Sequence, residues 1–332
     1  MPKVSFIVAV YNSMPYLTQC LDSLLAQTVK DIEVICVNDC SPDNSAEVIS
    51  DYIKKDARVK LINHSTNKRQ GGAWNSGVQA AGGDYLCFVD ADDWLEIDYT
   101  EVLFNEAKGA DFYCPAWIFK GNEKRENINK DRLISCGNDV MLYKLLYGSF
   151  FISCFIKRQF LIDNDFKFIE NNMYQDLFIN TLIIKTQSII VFNQVGYHYR
   201  TDNTSIQRSM NQYGFWGRLE VAEKMYEVCK KTPESVKYKE ALDFRFYILY
   251  YRNSLIKAFY DFTELPWDII ERIKKTTQIT IPYIKGNKYY FKRLEDIPLL
   301  QRLPIFLFEY FPRGLVSFFH KVYLLIRKIT YK

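Results

Sequence analysis

The first hundred residues alternate between short, continuous apolar runs and segments whose apolar residues recur at helical spacing. Continuous apolar runs are typical of buried strands, and they cover residues 4–10, 32–37, 59–62 and 85–89. Helical spacing appears between them, at residues 17–25, 46–54 and 71–81. Strands that alternate with helices in this way predict an α/β fold with a mainly parallel central sheet and flanking helices.

Polar residues follow three of these predicted strands at the point where each strand ends. They are Tyr11-Asn12, Asn38-Asp39 and Asp90-Ala91-Asp92. Because parallel strands share one direction, their ends meet at one edge of the sheet, where α/β proteins bind ligands. Clustered carboxylates there suit a hard divalent cation such as Mg²⁺ or Mn²⁺. An Asp-rich turn that caps the next helix is the alternative, and these residues alone leave both open.

The remaining pattern divides the chain into two parts. Residues 97–108 and 140–147 are predicted helices, residues 110–119 and 150–156 are predicted strands, and residues 120–136 form a charged surface loop. Beyond about residue 208 the pattern turns helical, at residues 213–231 and 238–262. We therefore expect an α/β domain over residues 1–208 and a helical C-terminal region over residues 209–332.

Composition excludes several classes of protein and cofactor. The chain has 48% hydrophobic and 25% charged residues, which is typical of a globular protein. No apolar run approaches the roughly 20 residues that span a bilayer, and Met1-Pro2-Lys3 leads directly into a strand, so we expect a cytoplasmic protein. Eight scattered cysteines without a C-x-x-C pair, beside three histidines, predict buried reduced thiols and no zinc site.

The net charge of +4 is concentrated at the C-terminus. Five basic residues and no acids lie between Arg313 and Lys332, so the rest is nearly neutral and a nucleic-acid partner is not expected. Residues 299–332 mix these cations with aromatic and aliphatic side chains, as in-plane membrane helices do. A helix that packs on the catalytic domain or on a second subunit of a homo-oligomer is the alternative.

Four motifs, in this order, resemble those of the inverting nucleotide-sugar glycosyltransferases of the GT-A fold, the large bacterial family 2 type that builds surface polysaccharides. They are Val8-Ala9-Val10-Tyr11-Asn12, Val37-Asn38-Asp39-Cys40-Ser41-Pro42-Asp43, Asn75-Ser76-Gly77 and the D-x-D pattern Asp90-Ala91-Asp92-Asp93. The resemblance is strong over residues 3–100 and continues weakly to about residue 205. It implies metal-dependent transfer of a sugar from a nucleoside-diphosphate donor, with UDP expected, to a glycan or lipid-linked acceptor.

The resemblance also implies a role for each motif residue. Tyr11 is expected to stack on the nucleobase and Asp39 to accept a hydrogen bond from it. Asp90 is expected near the ribose, and Asp92 is expected to hold Mn²⁺ or Mg²⁺ against the diphosphate. The other residues assigned to the donor site are Ala9, Asn75, Ala91 and Arg200. Residues 1–100 would then be the nucleotide-binding part of the domain and residues 101–208 its acceptor-side part.

Two further segments carry the remaining candidates. In Tyr197-His198-Tyr199-Arg200, the guanidinium of Arg200 suits phosphate oxygens, and His198 is either a further metal ligand or an ordinary strand histidine. Inverting transfer needs a base that takes a proton from the acceptor hydroxyl. The resemblance assigns this base to Asp176, with Gln175 where the family has Glu. An acid interacting with the dipole of its helix is the alternative for Asp176.

The motifs depart from the family pattern at three positions. Ala9 replaces Pro, Asn38 replaces Asp, and Trp74 replaces an Arg that is a candidate for diphosphate contact. Lys68 or Arg69 is the substitute we expect for that arginine. These departures affect donor recognition and not the predicted fold.

Two other functions remain to be compared with sugar transfer. A sugar nucleotidyltransferase would need a glycine-rich, basic loop after the first strand, and residues 11–15 do not form one. A non-catalytic, membrane-associated assembly protein would lack the acids, which are all present: Asp39, Asp90, Asp92 and Asp176. We therefore expect a glycosyltransferase, peripheral on the inner face of the cell membrane, whose sugar and acceptor the sequence does not name.

Overall fold

A computed structural model describes residues 3–101, 109–115, 119–120, 139–147, 151–172, 174–192, 196–201, 212–290 and 299–330. These residues belong to two compact units, Met1–Ser209 and Met210–Lys332. The described part of the first unit contains two sheets with flanking helices, and that of the second is helical. The predicted α/β fold with a helical C-terminal region is therefore confirmed.

The elements of the first unit begin with the predicted alternation of strands and helices. In chain order they are β1 (Val4–Val10), α1 (Leu17–Leu25), β2 (Ile32–Asn38), α2 (Ser45–Lys55), β3 (Val59–Asn63), α3 (Arg69–Ala80), β4 (Tyr85–Asp90), β5 (Trp94–Leu95), β6 (Phe112–Pro115), β7 (Phe119–Lys120), α4 (Val140–Tyr147), β8 (Phe155–Lys157), α5 (Arg158–Asp163), α6 (Gln175–Phe178), α7 (Asn180–Ile183), β9 (Ile189–Phe192) and β10 (Tyr197–Tyr199).

The main sheet has the strand order β3-β2-β1-β4-β8-β6-β9. The first four strands are parallel, whereas β8 runs antiparallel to both β4 and β6. In this register Ala9 pairs with Asp90, and Val10 pairs with Asn38. The carboxyl ends of β1, β2 and β4 therefore lie side by side, as the sequence pattern predicts. A second, small sheet has the order β5-β10-β7.

Trp74 is a core residue of the first unit. The centroid of its ring lies 5.3, 5.2 and 5.1 Å from the ring centroids of Phe88, Phe151 and Phe168. The residue is almost completely buried. Among the described residues, its indole N–H has no hydrogen-bond partner. The exchange of a family arginine for Trp74 therefore places apolar packing at this position, where a charged side chain would need a partner.

Several predicted boundaries shift in the middle of the chain. The predicted strand over residues 110–119 is two strands in different sheets, β6 and β7. The strand predicted from residue 150 begins only at Phe155, because residues 151–154 form a turn. Most of the predicted helix 97–108 and of the loop 120–136 lies outside the described residues.

The second unit is built from helices rich in aromatic residues. They are α8 (Gln212–Lys230), α9 (Lys239–Phe246), α10 (Asn253–Asp261), α11 (Trp267–Thr280), α12 (Leu299–Tyr310) and α13 (Arg313–Thr330), with 3₁₀ turns at Pro233–Ser235 and Ile284–Gly286. A π-helical segment, Tyr247–Arg252, joins α9 to α10, where the sequence predicts one helix over residues 238–262. None of the described helices combines the length and apolarity that crossing a membrane requires.

Gly77 allows α3 to lie directly on β1. A Cβ atom at this position would lie 2.3 Å from Cγ2 of the buried Ile7. We expect Gly77→Ala to lower the free energy of unfolding, because overpacking costs about 1–3 kcal/mol, whereas the gain in helix propensity is at most about 1 kcal/mol. Urea unfolding followed by circular dichroism measures the change.

Gly314→Ala is the matched control for this substitution. A Cβ there would meet no atom within 4 Å, so stability should hold or rise slightly. Equal stability of the Gly77→Ala variant and the native chain would contradict the proposed close packing of α3 on β1.

Candidate active site

Three carboxylates lie together where β4 ends. Ligand atoms of Asp90, Asp92 and Asp93 all lie within 4.8 Å of one another, and they are the metal-competent group found among the described residues. Asp90 is the last residue of β4, and the backbone N–H of Asp93 donates to the Asp90 carbonyl at 3.0 Å. This tight turn brings the three side chains to the edge of the sheet that the sequence predicts for them.

Asp93 is the buried member of the group and is held by β10. The Tyr197 hydroxyl donates to Asp93 Oδ2 at 2.6 Å, and the Arg200 backbone N–H donates to Oδ1 at 2.8 Å. The Tyr197 oxygen also accepts from the backbone N–H of Asp90 at 3.2 Å. Asp93 thus fixes the turn to the second sheet and leaves the outer positions to Asp90 and Asp92.

The local electrostatics of this turn favour a cation. Burial raises the pKa of Asp93 well above its usual range, the negative charges of Asp90 and Asp92 raise it further, and the hydrogen bonds from Tyr197 and Arg200 oppose the shift. A raised pKa means that negative charge is disfavoured at this position. A divalent ion beside these oxygens would oppose the repulsion between the three carboxylates, so the donor set fits a hard cation.

Arg200 lies against the same turn. Its Nε donates to the carbonyl oxygen of Asp92 at 2.7 Å, and its Nη2 donates to Oε1 of Gln19. The guanidinium carbon lies 4.6 Å from the ring centroid of Tyr16 and 4.7 Å from that of Trp94. Stacking between two rings holds the cation in one orientation beside the acidic cluster.

His198 lies near the cluster but does not belong to it. Its ring stacks on Trp94 at 4.8 Å with an interplanar angle of 6°, and Nε2 lies 2.7 Å from Glu96 Oε1. The group of ligand atoms within 4.8 Å comprises only carboxylates among the described residues. This geometry matches the strand-histidine alternative, with His198 joining β10 to β5.

The end of β2 presents a second buried carboxylate, Asp39. Its Oδ1 lies 2.7 Å from His64 Nδ1 and accepts from the backbone N–H of Lys68 at 2.8 Å. A carboxylate accepts, so Nδ1 of His64 carries the proton, and Nε2 lies 2.8 Å from the Ser76 hydroxyl. Tyr11 lies at the end of β1 with 47% of its surface exposed, which leaves its ring available for stacking.

His64 and Gln70 are two site residues that the sequence prediction missed. His64 follows β3 as Asp39 follows β2, so the rule that parallel strands end at one edge could have indicated it. Gln70, in the first turn of α3, donates from Nε2 to Asp90 Oδ1 at 3.0 Å. Only the packing of α3 on the sheet brings this amide to β4, and the local pattern carries no such signal.

The remaining donor-site candidates differ in what they contact. Asn75 donates to the carbonyl of Phe168 at 3.0 Å and accepts from its N–H at 2.9 Å, so its amide joins α3 to a neighbouring segment. Ala9 pairs with Asp90, and Ala91 is buried within the acidic turn. These small side chains provide close packing around the cluster.

Asp176 is the second residue of the short helix α6, and its side chain lies outside what the structure describes. Its neighbours are fixed. Gln175 is buried, accepts from the Ile169 N–H at 3.0 Å and donates to the Ile169 carbonyl at 2.8 Å, a pair that a carboxylate could not satisfy. Leu177 and Phe178 are buried as well.

Comparison with known proteins identifies relatives of this chain. The family model described as glycosyl transferase family 2 matches residues 5–166. An uncharacterized glycosyltransferase of Haemophilus influenzae is 30% identical over 226 residues, which cover 65% of this chain and 86% of that protein. The uncharacterized glycosyltransferase EpsJ of Bacillus subtilis is 47% identical over 107 residues, and that match spans 32% of this chain and only 31% of EpsJ.

Solved structures share the fold at low sequence identity. S. aureus TarS, residues 1–349, gives a TM-score of 0.59 at 19% identity, covering 89% of this chain and 91% of that one. The mannosyltransferase PcManGT from Pyrobaculum calidifontis, in complex with GDP-Man and Mn²⁺, gives a TM-score of 0.51 at 16% identity, covering 90% and 88%. These similarities support the α/β architecture of the first unit.

Asp43 organises the loop that follows β1. Its Oδ2 accepts from the Met14 N–H at 3.0 Å, and its Oδ1 accepts from the hydroxyls of Ser41 and Ser45, each at 2.6 Å. Burial alone would raise the pKa of Asp43, but these hydrogen bonds outweigh it and lower the pKa to about 2.

A carboxylate whose pKa is lower in the folded than in the unfolded state stabilises the fold at pH values above the unfolded-state pKa. This stabilisation is lost as the pH falls towards 2, the pKa of Asp43 in the folded protein. We expect Asp43→Asn to destabilise the protein at neutral pH by about 1–3 kcal/mol. The difference from the native chain should shrink as the pH falls from about 5 to about 3. Urea unfolding of both proteins at matched pH measures it, and a constant difference would contradict the role of the charged form.

Proposed function

The chain belongs to glycosyltransferase family 2, and on that premise we propose that it is a metal-dependent inverting glycosyltransferase. Its donor is a nucleoside-diphosphate sugar, with UDP as the nucleotide, and its acceptor is a glycan or lipid-linked saccharide in surface polysaccharide synthesis. One observation carries the proposal, namely the convergence of Asp39, the acidic turn of residues 90–93 and Arg200 at one edge of the parallel sheet.

The environment of Asp39 supports recognition of a base with an imide N–H. Oδ1 is held by His64 and by the Lys68 amide, and no hydrogen bond from the described residues reaches Oδ2. Oδ2 is therefore the acceptor proposed for the N3–H of uracil, with Tyr11 stacked on the ring. Cytosine has an acceptor at N3 and would repel the same carboxylate oxygen. Solved structures of TarS contain UDP and UDP-GlcNAc, which agrees with this choice of nucleotide.

The acidic turn supports a divalent ion at the diphosphate. Asp92 is the proposed ligand, and Asp90 is proposed to face the ribose, since Gln70 already bonds one of its oxygens. When bound, Mn²⁺ or Mg²⁺ would neutralise the charge that develops on the departing nucleoside diphosphate. Arg200 adds a fixed positive charge beside the same group, because its guanidinium is held between Tyr16 and Trp94.

Asp176 is the proposed general base. It would take a proton from the acceptor hydroxyl as that oxygen attacks the anomeric carbon. Its neighbours Leu177 and Phe178 are buried, so packing holds the helix that carries Asp176.

We further propose that residues 1–208 carry the catalytic site and that the protein is a peripheral protein on the cytoplasmic face of the cell membrane.

Metal dependence is tested by donor hydrolysis. The protein is incubated with UDP-, GDP- and TDP-linked sugars and Mn²⁺ or Mg²⁺, with and without a chelator. We expect hydrolysis of a UDP-sugar that the chelator abolishes and that Asp92→Asn lowers about a hundredfold or more, because the charge on the leaving diphosphate is no longer offset. Asp51→Asn, an exposed acid of α2, is the matched control and should leave the rate unchanged. Chelator-resistant hydrolysis would overturn the metal requirement.

The general base is tested by Asp176→Asn. We expect transfer to an acceptor to fall by about 10²- to 10⁴-fold, because the attacking hydroxyl loses its proton acceptor. Binding of UDP, measured by calorimetry, should be unchanged. Normal transfer by Asp176→Asn would show that the base lies elsewhere in the chain.

His64→Ala tests the recognition of the nucleobase instead. Loss of the contact between His64 and Asp39 should weaken the binding of UDP more than the binding of CDP.

A further inference from the structure

The two C-terminal helices carry an exposed apolar surface within the second unit. Among the described residues, 17 large apolar side chains are exposed, and nine of them lie between residues 303 and 326. Six of the nine lie on α13, and we call these six the C-terminal apolar face: Leu315, Phe318, Phe319, Val322, Leu325 and Ile326. This concentration separates the face from the single exposed apolar residues found on every protein surface.

Helix α13 already buries its other side. Val316 and His320 are buried, His320 Nε2 lies 3.0 Å from the Phe262 carbonyl, and Arg327 donates to the Tyr260 carbonyl at 3.0 Å. The ring of Tyr323 lies 5.7 Å from that of Phe259. Residues 316, 320, 323 and 327 recur at helical spacing, so they form the stripe that anchors α13 to the rest of the unit.

The exposed apolar residues of α13 form a second stripe on another side of the helix. Leu315, Phe318, Phe319, Val322, Leu325 and Ile326 follow the spacing i, i+3, i+4, i+7, i+10 and i+11. A surface helix that is already anchored usually presents polar residues on this side. The second apolar stripe is therefore not explained by the packing of α13 within the unit.

Cations border this second stripe. At 3.6 residues per turn, Lys321 and Lys328 lie on the flank of α13 next to Phe318 and Leu325. Both lysines are exposed, and neither forms an ion pair with the described residues. No acidic residue occurs in the sequence from Arg313 onward, so the charge of this border is entirely positive.

We propose that the C-terminal apolar face binds the surface of an anionic lipid bilayer, with α13 lying in the plane of the membrane. The apolar stripe would enter the boundary between headgroups and acyl chains, and Lys321 and Lys328 would contact anionic headgroups. Since its other stripe anchors α13 to α10, the helix lies on the membrane and does not cross it.

Charge complementarity selects a bilayer over a second copy of the chain. A two-fold contact would place this face against itself and bring the lysines of α13 towards their counterparts. No acid from residue 313 onward could offset that repulsion. Anionic lipids supply the missing negative charge. The inference goes beyond the proposed sugar transfer and does not depend on it, because it concerns only the second unit.

Vesicle co-sedimentation of the full chain tests the proposal. The vesicles are phosphatidylcholine, alone or mixed with phosphatidylglycerol. We expect binding to the mixed vesicles that weakens with added salt, and much weaker binding to phosphatidylcholine alone. Phe318→Ser with Leu325→Ser should lower the partition coefficient about tenfold or more, because two apolar side chains leave the bilayer. Lys321→Gln with Lys328→Gln should lower it about 25-fold, at about fivefold for each cation.

Matched controls lie elsewhere in the second unit. Val236 and Ile279 are 82% and 71% exposed, so Val236→Ser with Ile279→Ser removes as much exposed apolar surface at another place. Lys231→Gln with Lys275→Gln removes two other exposed cations. Both control proteins should bind mixed vesicles as the native chain does. Circular dichroism checks that all variants are folded, as expected for substitutions at exposed positions.

Three results would overturn the proposal. In the first, the native chain does not bind mixed vesicles. In the second, the variants of the face bind as well as their controls. In the third, light scattering would show a dimer that Phe318→Ser with Leu325→Ser dissociates while vesicle binding is unchanged, which would identify a second copy as the occupant. Donor hydrolysis is measured without vesicles, so its outcome and that of the binding assay are independent.

Discussion

The hydrogen bond from the buried Tyr197 hydroxyl to Asp93 is the contact on which the geometry of the acidic turn depends. Tyr197 also accepts the backbone N–H of Asp90, and Asp93 also accepts the backbone N–H of Arg200. This small network joins the end of β4 to β10, so Asp90, Asp92 and the Arg200 guanidinium are fixed relative to one another. The network costs free energy, because it holds the Asp93 carboxylate in a buried position where negative charge is disfavoured. A cation at the neighbouring oxygens would offset that cost, which links the stability of the turn to the proposed chemistry.

A second network fixes the other end of the proposed donor site. The Asp39 carboxylate is oriented by His64, whose far nitrogen contacts Ser76 in α3. Gln70 of the same helix contacts Asp90, so α3 reaches the end of β4 directly and the end of β2 through His64. The close approach of α3 to β1 at Gly77 allows one helix to reach both strands. Trp74, where the family has Arg, fits this arrangement, because its buried indole ring packs α3 against Phe88 and Phe168.

The sequence predicted the fold class, the succession of the first four strands and three helices along the chain, and the meeting of three polar strand ends at one edge. It could do so because alternation of apolar runs with helical patterns leaves few topologies, and parallel strands must end on the same side. It missed His64 and Gln70, and it left the state of His198 open. Whether an imidazole faces a metal or Glu96 depends on the packing of β10 against β5, and no local pattern encodes that contact. The boundaries around β6, β7 and β8 were also wrong, because short strands of a mixed sheet carry weak periodicity.

Features that depend on neighbouring residues could be predicted from the sequence, whereas features that depend on contacts between distant segments required the tertiary structure. The sequence by itself determined the acidic cluster, the apolar and basic character of residues 299–332 and the strands and helices of the first ninety residues, because these follow from neighbours along the chain. Only the tertiary structure decided that Asp93 is a buried support and that Trp74 is core. It also decided that α13 has one stripe anchored and a second, apolar stripe exposed. Each of these depends on which surfaces of distant segments meet, and burial and hydrogen bonding between such segments are settled only when the whole chain folds.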